Sequence, residues 1–149
     1  MDEQERLSIF QAQTKNVRAL HQAWKQINRQ INASLLNNDN VSREINTKLL
    51  AVIYCALAEA VFSKLIHTPY GLTLNEIDQI KKVGKRGVKF GWTKCAELAV
   101  RRVDGAKPNH PPNALQKLRT LIDKFIYDPS LIRNKLAHGQ WRVALNASV

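Results

Sequence analysis

A chain of 149 residues with 44% hydrophobic side chains is long enough to bury one sizeable core, which excludes a disordered tail and makes one domain over 1–149 the expectation. Its 23 Lys and Arg against 12 Asp and Glu give a formal net charge of +11, and a surface so basic gathers polyanions and gains affinity as their counterions leave. Cys55 and Cys95 have no CxxC spacing and the four histidines are scattered, so buried reduced thiols are expected, with no metal site and no cofactor.

The first element is a helix over about 2–37, because Val17, Leu20, Trp24, Ile27 and Ile31 recur every three or four residues along one stripe. At about 1.5 Å per residue it is roughly 50 Å long, more than a compact bundle needs. The polar run 37–40 ends it, and Ser42 is placed to cap a second helix over about 43–67. Ile45, Leu49, Val52, Ile53, Ala56, Leu57, Ala60 and Val61 cover a wide face of this second helix, the expected core helix, with Glu59 interrupting it. Its longest apolar run, about 49–62 and interrupted by Glu59, falls short of the roughly 20 residues a bilayer requires. The amino end is acidic where a signal peptide would be basic, so a cytoplasmic protein with no membrane partner is expected.

Thr73 and Glu76 form a capping box, with Leu72 and Ile77 spaced as a hydrophobic staple, so a third helix starts there. It extends toward Val103 with a kink or break among Gly84, Gly87 and Gly91, where glycine weakens helix. Prolines at 108, 111 and 112 mark 104–112 as a loop. A fourth helix over about 113–127 turns Leu115, Leu118, Leu121, Ile122 and Phe125 inward. Asp128 as N-cap and Pro129 as first helical residue then open a fifth, over about 129–145. No segment alternates with a period of two, so the fold class is all-α, an antiparallel bundle of about five helices.

The fifth helix carries Arg133-Asn134-Lys135-Leu136-Ala137-His138-Gly139. With ten Arg and four His in the chain, an Arg-x4-His pattern arises by shuffling in roughly a quarter of trials, and requiring Asn after the Arg lowers this to roughly one in fifty. At about 100° per residue Asn134 and His138 share one face, with Arg133 to its side and long enough to reach across. Leu131, Ile132 and Leu136 are expected to face the core. These residue types suit RNA cleavage without a metal, because RNA brings its own nucleophile, the 2′-hydroxyl. Histidine can take and give a proton near neutrality, and the guanidinium fork can hold two phosphate oxygens and offset charge developing at phosphorus. Asn134 would orient the phosphate or the imidazole.

The segment Leu131 to Gly139 resembles the signature of the HEPN superfamily, small helical bundles whose Arg-polar-x3-His motif marks many metal-independent ribonucleases. The close match covers about a tenth of the chain. The resemblance implies a HEPN-like bundle and a homodimer that brings two copies of the motif together. It further implies products with a 2′,3′-cyclic phosphate and a 5′-hydroxyl, and a setting of antiviral defence or of a toxin restrained by an antitoxin or other regulatory protein. These roles are carried onto Arg133, Asn134 and His138. Toxins of the superfamily that are silenced by adenylylation often have a tyrosine two residues after the histidine; here Gln140 stands there, which argues against that control.

Around the motif, Lys81, Lys82, Lys85, Arg86, Lys89 and Lys135 are the expected RNA-backbone contacts, drawn mainly from a run of eight cations and one acid, Glu97, between 81 and 102. A solvated helix face is the competing reading of that run. Glu59 interrupts an apolar face where an unpaired carboxylate is costly, so a paired structural acid or a rim position is expected, with Arg133 one candidate partner. Trp92 and Trp141 read as core residues before base-stacking ones. A noncatalytic RNA- or nucleotide-binding module of the same fold, and a helical adaptor that docks an acidic protein, stand as alternatives to the ribonuclease.

Overall fold

The computed structural model describes residues 1–103 and 110–142. In chain order it contains α1 (Glu3–Leu36), α2 (Asn40–Ile66), α3 (Leu74–Gly84), α4 (Val88–Val100), α5 (His110–Ile122), a π-helical turn (Asp123–Tyr127) and α6 (Asp128–Ala137). Among the described residues there is no strand. The last three elements run on without a break as one bent rod, so among the described residues the all-α bundle has five helical bodies.

α1 starts where the Asp2 carboxylate accepts the Glu5 amide at 2.7 Å, filling one of the open donors of the first turn. It lies along α2 as the most extensive helix pair, with Val17, Leu20, Trp24, Ile27 and Ile31 half-buried in the seam. Arg6, only 3% exposed, ties its beginning to the end of α2 by donating to the carbonyls of His67 and Thr68 and to the Glu3 carboxylate.

α2 begins earlier than Ser42 suggested. Asp39 is the N-cap, and its carboxylate accepts the Ser42 amide at 3.0 Å; the Ser42 side chain first, and this amide second, hold the Asp39 carboxyl below its usual pKa. The helix is a core element on one side only: Cys55, Leu57, Ala60 and Ile66 are buried, while Ile45, Leu49, Val61 and Leu65 are exposed. It is also longer than the apolar run 49–62. At 27 residues α2 is long and apolar enough, by length and composition, to cross a membrane, with 22% of its most apolar window buried.

The capping box at Thr73 and Glu76 forms as its sequence implies, and the break among the glycines falls between Gly84 and Val88, with Gly87 at φ 142°. A Cβ on Gly91 would stand 3.4 Å from the Gly84 Cα and 3.4 Å from the Phe62 ring, so glycine lets α3 and α4 close on each other over that ring. Phe62, Leu72 and Leu74 pack around a core of Ile66, Ile77, Ile80, Cys95 and Leu98. Trp92 stacks on Phe62 with ring centroids 4.5 Å apart, which makes it a packing residue.

The bent rod departs most from the sequence reading. Of the anticipated 104–112 loop, residues 104–109 lie outside the described residues, and Pro111 and Pro112 sit in the first turn of α5, where a missing N–H leaves no helical bond unmade. Leu121 and Phe125, expected inward, are 50% and 46% exposed. Asp128 does not cap a new helix: its backbone is helical at φ −57°, ψ −47°, and its amide bonds to the Asp123 carbonyl to close the π turn. Pro129 explains this. In a regular helix its amide would serve the Phe125 carbonyl, but proline has no N–H and its ring crowds that oxygen, so the backbone widens just before it. α6 stops at Ala137 instead of near 145, and of the missing stretch 143–145 lies outside the described residues.

Candidate active site

α6 is short, and its contact with α2 fixes which way the motif faces. Ser130 and Leu136 are its buried residues. Leu131, Asn134, Lys135 and His138, spaced by three and four, form one exposed face. Leu131 and Ile132 are therefore not core residues: at 43% and 55% exposed they form an apolar shoulder beside Asn134 and His138. One apolar side chain, Leu136, is enough to seat the end of so short a helix, and the rest of the motif stays outside.

Arg133 points the other way, along α2. Its guanidinium donates to the Glu59 carboxylate at 2.7 Å, and both side chains keep contact with solvent, so Glu59 is paired at the rim of the apolar face. Cys55 lies one turn before Glu59; burial pushes its thiol up, against the opposing pull of the Arg133 guanidinium. Arg133 thus spans the junction of α2 and α6 and stays partly open to solvent.

His138 is placed by the way the helix ends. It is the C-cap residue, and Gly139 follows in the left-handed region at φ 77°. The Gly139 amide bonds back to the Leu136 carbonyl at 3.1 Å and the Gln140 amide to the Lys135 carbonyl at 3.0 Å, the paired bonds of a Schellman cap. Trp141 folds back over this turn: its indole N–H donates to the Leu136 carbonyl at 2.9 Å, and the Lys48 ammonium of α2 lies 5.9 Å from its ring centroid. Trp141 therefore braces the cap and, at 36% exposed, is not a core residue. The side chains of Asn134 and His138 make no hydrogen bond among the described residues, which leaves both available to a ligand.

The anticipated cation track divides. Lys81, Lys82, Lys85 and Arg86 are exposed at the end of α3 and in the turn after it, with Arg86 stacked over Phe90 at 4.8 Å. Lys89 is committed elsewhere: it pairs with Asp123 at 2.6 Å and lies 5.2 Å from the Tyr127 ring centroid, joining α4 to the π turn. Arg102 is likewise taken, by Glu76 and the Gly71 carbonyl. Lys135 stands in the exposed face of α6 itself.

Sequence reasoning did not single out Tyr54. With Trp24, Thr47, Leu50, Ala51, Phe125 and Pro129 it lines a cavity of about 380 Å³ where α1, α2 and the rod meet. Its one visible signal was an aromatic hydroxyl on the apolar face of α2. Among the described residues no three His, Cys, Asp or Glu side chains gather as a metal site would require. Comparison with family models, with characterised proteins and with solved structures finds no match to this chain, so the functional reading rests on the site itself.

Proposed function

We propose that the chain is a HEPN-like, metal-independent endoribonuclease that works as a homodimer, with Arg133, Asn134 and His138 of both protomers facing one RNA phosphodiester. The observation that carries this reading is the solvent-facing placement of Asn134 and His138 on one side of α6, next to an uncovered Leu131 and Ile132, with Arg133 at the edge. Exposed leucine and isoleucine beside unpartnered polar groups are what a shared interface with a wet centre needs.

In the reaction, the imidazole of one protomer takes the proton from the 2′-hydroxyl as that oxygen attacks phosphorus. The partner's imidazole gives a proton to the departing 5′-oxygen, and the 2′,3′-cyclic phosphate and 5′-hydroxyl are left. Arg133 offsets the charge that grows on the phosphoryl oxygens, and Asn134 holds the phosphate in line. Two protomers supply the acid and the base that one histidine cannot supply together. Lys81, Lys82, Lys85, Arg86 and Lys135 draw in the RNA backbone without reading its sequence.

The test is incubation of purified protein with structured and unstructured RNA in EDTA, alongside His138→Ala and Arg133→Ala. Cleavage that persists in EDTA and disappears in both variants supports the reading; absence of cleavage by the unaltered chain contradicts it. The Glu59–Arg133 pair favours one second reading, a noncatalytic RNA-binding module, because a guanidinium already held by a carboxylate has less to offer a phosphate. Salt-sensitive RNA binding without cleavage would identify that module.

A further inference from the structure

The π turn stands directly before α6, so it sets the register of the motif. A π turn places one more residue in its loop than an α turn does, so reverting it to regular helix would rotate everything downstream by about 100° and shift it by about 1.5 Å. Residues 133 and 138 lie downstream. Such a rotation would take Arg133 away from Glu59 and turn the exposed face of Asn134 and His138 toward another direction.

The turn also leaves a polar group without its helical partner. The Phe125 carbonyl, which the absent N–H of Pro129 cannot serve, accepts the Tyr54 hydroxyl of α2 at 2.7 Å. Trp24 of α1 flanks Tyr54 with ring centroids 5.6 Å apart, so the hydroxyl is aimed from a braced ring. Burial raises the Tyr54 phenol above its ordinary pKa, which keeps the hydroxyl protonated and able to donate.

We propose that Tyr54 is a positioning residue: by capping the Phe125 carbonyl at the π turn its hydroxyl fixes the rotation of α6, and through it the placement of Arg133 and His138. The positioning role concerns the helix and is testable without RNA; its consequence for cleavage rests on the ribonuclease reading above. It singles out Tyr54→Phe as a change that deletes one hydroxyl, keeps the ring against Trp24, and acts on a helix it belongs to only by contact.

The experiment is hydrogen–deuterium exchange over residues 123–137 in the full chain, for the unaltered protein, Tyr54→Phe, and Tyr54→Phe combined with Pro129→Ala. Tyr54→Phe is expected to speed exchange there by about fivefold, the factor that one net hydrogen bond is worth, with α1 and α2 unchanged. Pro129→Ala returns a backbone donor to the same carbonyl, so in the double variant most of that protection is expected to come back. Unchanged exchange in Tyr54→Phe overturns the proposal, and so does loss of protection that Pro129→Ala does not restore. Where the unaltered chain cleaves RNA, Tyr54→Phe is expected to lower kcat with KM unchanged. If that chain does not cleave, the ribonuclease reading fails while the exchange result still decides the role of Tyr54.

Discussion

Gly139 offers a test of how His138 is held. Its φ of 77° is a conformation that costs an L-residue about 1–2 kcal/mol, yet a Cβ added there would meet no atom within 4 Å. Gly139→Ala therefore carries the backbone strain alone, partly offset by the roughly 0.4–1 kcal/mol that alanine gains by stiffening the unfolded chain. The net loss is about 1 kcal/mol. For 149 residues the unfolding entropy near the midpoint is about 0.31 kcal/mol/K, so Tm should fall by about 3 °C. Asparagine visits the left-handed region more readily, and Gly139→Asn should lose less than half as much. Circular dichroism melts at one fixed protein concentration measure both. Equal Tm values for all three proteins, or equal losses for Ala and Asn, would refute the Schellman cap as what places the histidine.

Other consequences follow from separate parts of the molecule. Gly91→Val should overpack the junction with Gly84 and Phe62 and cost about 1–3 kcal/mol in denaturant unfolding. His67 is 2% exposed with Nδ1 bonded to the Ser63 carbonyl; burial, and to a lesser degree Lys81 and Arg6, lower its pKa below the free value, while the Ser63 bond and, more weakly, Glu5 pull the other way. Since the unfolded chain binds that proton first, stability should fall as pH drops below about 6.5, and His67→Gln should flatten the fall in pH-dependent melts. Replacing Lys82 and Lys85 by alanine should reduce the slope of log affinity for RNA against log salt by roughly 2, with no change in the fold. Ile132→Asp should shift the chain toward monomer in light scattering, because it puts a charge on the shoulder assigned to the interface.

The helices were legible because α1, α2 and α5 repeat apolar residues every three or four positions, and because Thr73 and Glu76 announce α3 by side-chain chemistry. The glycine break between α3 and α4 was legible for the same local reason. What local rules missed was the bent rod: Asp128-Pro129 has the composition of a helix start, and the Tyr54 hydroxyl that meets the Phe125 carbonyl comes from 71 residues away. The direction of α6 was hidden likewise. Leu131, Ile132 and Leu136 are all apolar, and nothing in their spacing tells that α2 accepts Leu136 and leaves the other two outside. Arg6 was invisible as a buried residue, since its partners are the carbonyls of His67 and Thr68, far along the chain. The Glu59–Arg133 pair was readable only as one candidate: a carboxylate that breaks an apolar face suggests a cation, but Glu59 is 55% exposed, a rim position that water also serves.

The shared site can be tested by purifying a mixed dimer of one unaltered chain and one differently tagged His138→Ala chain, and measuring its cleavage of RNA in EDTA. A single site that draws its acid and its base from different protomers should lose most of its rate when either imidazole is missing, to about a hundredth of the unaltered dimer or less. A mixed dimer that keeps half of the activity would mean that each protomer cuts by itself, and would contradict the two-chain site.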